Sequence, residues 1–316
     1  MAHTTVVASG TQGFHAVVTA VRQLPVLAAL LGRVPLCTAK ALLRTCRGLR
    51  EAVAHNLALV HNFAHVRVET ADQLGRANTR FRPRSLCYDY GEGVPRGVLT
   101  ATLTHLKFGD RYNQSIGAGV LPASLTHLTF GCDYNQPVAA GVLPPSLTHL
   151  EFGLYYKQIL GAGVLPASLT HLNFGDCYNH AIGNGVLPAS LTHLEFGFHY
   201  NQLLNADVLP ASLTHLKLGD CYNYPVGTGV LPASLTHLEF GHGYDQRVDA
   251  GVLPASLTHL KLGDCYNCPV GTGVLPASLT HLKFGRNYDR VFDFAVLPAG
   301  VVCVDIGGRV VYGERA

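Results

Sequence analysis

Apolar and polar positions along this 316-residue chain repeat every 22 residues from Leu103 onward. One unit, Leu125 to Ser146, shows the plan. Its positions 1, 4 and 6 are Leu125, Leu128 and Phe130, and the positions interleaved with them, 3 and 5, are polar. Such alternation predicts a short strand with one buried face. Gly131 at position 7 ends the strand. Tyr134 at 10 and Val138 at 14 add core, and Gly141-Val-Leu-Pro144 at 17–20 turns two further apolar side chains inward. A unit that is apolar on every side cannot bury itself, so the units must stack, and a strict period of this length marks a solenoid.

The period does not slip. The histidines of the Thr-His-Leu core fall at 105, 127, 149, 171, 193, 215, 237, 259 and 281. Stacked in register, with a worn rung at each end, the units form one parallel sheet of about 11 short strands, an array on the order of 50 Å long. The return side carries Pro at position 20 and Gly at 17 in nearly every unit, which excludes α-helix and leaves extended or polyproline-like backbone. A convex side without helices is slim, so a flatter array than a helix-backed horseshoe is expected.

The flanks read differently. Residues 1–13 form a loose, flexible terminus, and residues 14–66 have a helical texture. Leu27, Leu30, Leu31 and Val34 fall at helical spacing between Pro25 and Pro35. Thr38 is a candidate N-cap for a helix with Leu42, Leu43, Cys46, Leu49 and Val53 on its apolar stripe. Residues 81–102 read as a degenerate N-cap repeat, with Phe81 to Leu86 one period before Leu103 to Phe108. Residues 103–300 are the nine regular units. Residues 301–316 are a C-terminal cap, in which Val301 to Gly307 continues the register and the tail covers the last strand edge. The fold class is a mainly β repeat solenoid with a small N-terminal α-helical domain.

Composition narrows the function. The net charge is +3, but residues 1–80 hold nine Arg and Lys against Glu51, Glu69 and Asp72, which leaves the array at −3. An array without a concentrated basic surface argues against nucleic acid as a partner. The acid-free N-terminus also has the look of an organelle transit peptide, against the simpler reading of a basic helical domain. No uninterrupted apolar run is long enough to span a bilayer. Nine cysteines without framework spacing or a secretion signal predict free thiols and a cytoplasmic, non-secreted protein. Cys265 and Cys268 form one C-x-x-C with no second pair, so neither a metal nor another cofactor is expected.

Candidate chemistry lies on the open strand face. The row of histidines, His149, His171, His193 and His215 among them, could bind a metal or sense pH, since a protonated row repels itself. Thr and His are adjacent on a strand, so they are expected to face opposite ways and to form no nucleophile–base pair. Glu151, Glu195 and Glu239 lie two rungs apart with no pocket to tune them. No catalytic residue is assigned and no enzyme is expected. Asn at position 11 reads as an inward amide that bonds backbone between rungs. The variable positions carry specificity. Position 5 reads Lys107, Thr129, Glu151, Asn173, Glu195, Lys217, Glu239, Lys261 and Lys283, with Leu154, Tyr155 and Phe198 on the rim beyond. Mixed charges with isolated apolar residues suit a protein partner.

The pattern Leu-x-x-Leu-x-Phe, then Tyr-Asn-Gln-x-Ile/Val, then Gly-Val-Leu-Pro-x-Ser resembles the FNIP repeat. This is a 22-residue relative of leucine-rich repeats that abounds in amoebae and their giant viruses, often behind an F-box. The segment Leu24-Pro25, a leucine run, Pro35, then Leu42-Leu43-Arg44-Thr45-Cys46-Arg47-Gly48-Leu49-Arg50 resembles an F-box, with a shorter interval than usual and Leu49 where that family has Trp. These resemblances imply a substrate-recruiting adaptor of a cullin–RING ubiquitin ligase. In it Leu24, Pro25, Leu27, Leu31, Pro35, Leu42, Leu43 and Leu49 contact the ligase linker subunit, and a monomeric solenoid holds the substrate in the cytoplasm, the host's if the protein is viral. The alternatives are a binding scaffold without a ligase link, and a metal-binding or pH-sensing histidine ladder.

Overall fold

In the computed structural model the described residues are 5–7, 65–68, 83–89 and 91–312. They build one sheet of fourteen strands stacked in chain order. Nine strands of the regular units run from β4 (His105–Phe108) to β12 (His281–Phe284), each three or four residues long and opening on the histidine of its unit. They are preceded by β1 (Thr5–Val7), β2 (His65–Val68) and β3 (Ser85–Tyr88), and followed by β13 (Cys303–Ile306) and β14 (Arg309–Tyr312). From β1 to β13 all neighbours pair parallel. β14 turns back through Gly307 and Gly308, both at positive φ, to pair antiparallel with β13. Among the described residues the only helix is a 3-10 turn at Phe294–Val296, where Ala295 stands in place of the glycine that all the other regular units but one (Asp207) carry.

The strands form where the alternation places them. Leu128 and its equivalents are buried while the residues on either side are half-buried or exposed. Each rung turns three times. Tyr134 N donates to Gly131 O, Val142 N to Ala139 O, and Leu147 N to Pro144 O. Between rungs, the Thr126 and His127 amides share Thr104 O, Phe130 N reaches Glu151 O, and the Ser146 hydroxyl reaches Leu125 O. Extended and turning backbone thus finds partners on the next rung, which replaces the internal bonding of a helix. The core is a set of columns: leucines at positions 1 and 4, Phe130–Phe152 stacked 5.6 Å apart, and Tyr134–Tyr156 at 6.1 Å. The glycine column at position 7 lies on the seam between rungs. A Cβ on Gly153 would lie 1.8 Å from Gly131 O, so no other residue fits there.

Several sequence expectations change. Thr5–Val7 is a strand where a loose terminus is expected, and His65–Val68 is a strand at the end of the expected helical unit; the remainder of 14–66 lies outside the described residues. The worn first rung is shifted. Leu86 pairs with Leu106 and Tyr88 with Phe108, a spacing of 20 rather than 22. A slip of two residues leaves every side chain on its original face, so alternation alone does not detect it. The open face of the sheet carries a groove of about 840 Å³ along β5–β13.

Candidate protein-binding groove

The groove is built from two columns. At position 3 the imidazoles stack face to face, with centroids 4.1–4.3 Å apart and planes 6–12° from parallel. At position 5, beside them, stand the variable side chains, one per strand. The leucines of position 4 form the buried floor.

A threonine holds each ring. Thr126 Oγ1 lies 2.9 Å from His127 Nδ1 and 3.0 Å from Thr104 O, and the same geometry recurs through Thr280 and His281. A carbonyl can only accept, so the single hydroxyl proton goes to it and Nδ1 must carry the proton that the hydroxyl accepts. This fixes the Nδ1–H tautomer. From His127 to His281, Nε2 is left as an acceptor on the groove side. Strand alternation therefore does not keep Thr and His apart as expected, because Thr126 precedes the three-residue strand and its hydroxyl reaches round to the ring. The pair is still no nucleophile–base couple, since the hydroxyl proton points at a carbonyl and not at the imidazole.

Burial, and after it repulsion from His105, His149 and His171, lowers His127 to about 4. Burial, and after it repulsion from other rings of the row, also lowers His149, His171, His193, His215, His237 and His259. The self-repulsion expected from the sequence is present, but burial is the larger cause. Near-parallel rings aim their Nε2 lone pairs side by side instead of at one point, an arrangement that does not converge on an ion. Among the described residues no group of three or more His, Cys, Asp or Glu is placed to hold a metal.

Position 5 is largely self-paired. Glu195 Oε1 binds Lys217 Nζ at 2.5 Å and raises the lysine pKa, Glu239 pairs with Lys261, and Lys283 lies 3.3 Å from Asp305. Asn173 donates to Glu195 at 3.4 Å. Thr129 donates to Glu151 at 3.3 Å. Asp305 and Cys303 extend the two columns onto β13 and belong to the groove. Continuing the 22-residue register through Val301 to Ile306 would have identified them.

The rim residues are not brought together with this groove. Leu154, Tyr155 and Phe198 are exposed in the turn after their strands, and Asp176 lies in the rung between. Ile159, Leu203 and Tyr224 are also exposed, at positions 12 and 13 of their rungs. Asp176, Asp220 and Asp264 at position 8 have a structural task, accepting the amides of Phe198, His242 and Arg286 one rung on. The Asn column does the same: Asn113 Oδ1 accepts from Asn135 N and Asn135 Oδ1 from Lys157 N. It does so from the surface, not from inside. Leu24, Pro25, Leu27, Leu31, Pro35, Leu42, Leu43 and Leu49 lie outside the described residues. Among the described residues no helix is long and apolar enough to cross a membrane.

The FNIP Repeat family matches residues 94–133, 134–177, 178–221, 222–265 and 266–308, about two rungs per match. No curated protein matches the chain. Among solved structures, one described as CroV588, a novel circular LRR protein structure, is 40% identical with a TM-score of 0.64. The similarity covers 76% of this chain and 38% of that one, so the chain spans well under half the length of that protein. No catalytic domain accompanies these matches. With most of its length matched, the chain belongs to the FNIP-repeat family, and it is a leucine-rich-repeat-like parallel β-solenoid.

Proposed function

We propose that the chain is a protein-binding module whose partner lies in the groove of the strand face. One observation carries this reading: a continuous groove of about 840 Å³ in which a fixed row of imidazoles runs beside a column of side chains that changes from rung to rung. A constant frame with a variable column is how repeat arrays present different surfaces on one fold. The matching test is peptide selection from a random display library on the folded chain. Selected peptides are expected to lose binding with Asn173→Trp, which fills the groove, and to keep it with Leu154→Asp and Phe198→Asp. The opposite pattern would move the site to the flank and end this reading.

A second reading makes the module the substrate arm of a cullin–RING ligase. It is favoured by the Leu24-Pro25 opening and the Leu42–Arg50 close of the N-terminal segment. Its test is a pull-down of the ligase linker protein by the full chain. Binding that is abolished by Leu24→Asp or Leu43→Asp supports the adaptor, and no binding leaves the module without a ligase link.

A further inference from the structure

The two ends of the groove differ although the repeat frame is the same in both. From Glu195 to Asp305 each position-5 side chain forms an ion pair with a neighbour on an adjacent strand, and Asn173 adds one longer bond to Glu195 at 3.4 Å. At the other end, Lys107, on β4 one strand beyond the lining of the groove, makes no ion pair among the described residues, and Glu151 meets only the neutral hydroxyl of Thr129, at 3.3 Å. The two charges stand two strand steps apart, about 10 Å. His127 and His149 beside them offer Nε2 acceptors.

A side chain already paired with its neighbour must lose that bond before it meets a partner. An exposed charge without a counter-charge loses only water. The paired stretch is therefore mostly scaffold. We propose that Thr129 and Glu151 at the β5 end of the groove, together with Lys107 one strand beyond it on β4, form the recognition end. Its occupant is an extended segment of a partner protein with a carboxylate over Lys107 and a Lys or Arg over Glu151, two to four residues apart. Hydroxyl or amide donors of that segment meet Nε2 of His127 and His149. A strand rise of about 3.3 Å per residue gives that separation. A polyanion does not fit, because it would meet the Glu151 carboxylate where it needs a cation.

This inference rests on the groove being the protein-binding face, and the test separates the two. Peptides are selected on the wild type, on the reversal Lys107→Glu with Glu151→Lys, and on the control reversal Glu195→Lys with Lys217→Glu. The wild type and the control are expected to enrich one order of acid and base. The first reversal should enrich the inverted order and bind wild-type-selected peptides at least about tenfold more weakly. Peptides that bind all three alike but are lost with Asn173→Trp overturn this inference and leave the groove reading standing. Loss with Leu154→Asp or Phe198→Asp alone, or no enrichment on a chain whose circular dichroism shows it folded, overturns both.

Discussion

The groove has one frame and two characters. From β6 back to Lys107 on the adjoining β4, the position-5 column leaves Lys107 and Glu151 without counter-charges among the described residues, and along β7–β13 it closes into Glu195–Lys217, Glu239–Lys261 and Lys283–Asp305. Beneath both stretches run the same glycine seam, tyrosine column and threonine-held imidazoles. The difference teaches that stability and recognition are written in separate columns. The constants hold rung on rung, and the variables either consume each other or remain available. Changes to the frame should damage both stretches equally, and changes to the variables should divide them.

The largest effect is expected at the seam. Gly153→Ala and Gly241→Ala place a Cβ about 2 Å from a carbonyl oxygen of the preceding rung, 1.8 and 2.1 Å respectively. Each should cost about 3 kcal/mol or more, read as a lower urea midpoint. Equal losses support a shared frame; a loss at one site only would break it. Acid comes next. Seven histidines, His127 through His259, have folded pKa values below the ordinary one. Above about pH 6.5 both folded and unfolded chains hold them neutral, so they contribute no pH dependence. Below it the unfolded chain takes up protons that the folded chain refuses, and stability falls until the folded pKa is reached, about 4 for His127. Urea midpoints at pH 7.5, 6 and 5 should drop steadily, with a shallower slope when His149, His193 and His237 are replaced by Gln. A flat profile would contradict the stacked neutral row.

Smaller effects sharpen the same contrast. Asp207, at φ 65°, takes the place that glycine occupies at positive φ in neighbouring rungs. Asp207→Gly should stabilise by about 1 kcal/mol, raising the midpoint of thermal unfolding, because only glycine adopts this conformation without cost. Smallest is the charged column. Lys217→Ala and Lys261→Ala should change stability by no more than about 1 kcal/mol, since both pairs are exposed. Lys107→Ala, with no counter-charge to lose among the described residues, should change it less still.

Much of this was legible in the sequence. The strand at each Thr-His-Leu, the parallel register of β4–β13, the helix-free back and the line of position-5 residues all follow from a 22-residue period and a two-residue alternation. What stayed hidden has identifiable causes. The two-residue slip at Ser85–Tyr88 preserves facing. The Thr126–His127 bond depends on the threonine lying just outside a strand of three residues. The exposed Ile159, Leu203 and Tyr224 fall on positions 12 and 13, where apolar residues mix with Pro and Gln without a period. The division of the groove was half visible: successive Glu and Lys at position 5 announce pairing, but the isolation of Lys107 and Glu151 emerges only once neighbours on adjacent strands are known.

The contrast between the two stretches can be read directly at the imidazoles. Nitrogen-15 ring signals of the uniformly labelled chain, titrated at pH 7.5 with a wild-type-selected peptide, report Nε2 at every rung. Shifts concentrated at His127 and His149, with His237 and His259 unmoved, are the expected result. Equal shifts along the row, or shifts confined to His237 and His259, would contradict a groove that recognises at one end and braces itself at the other.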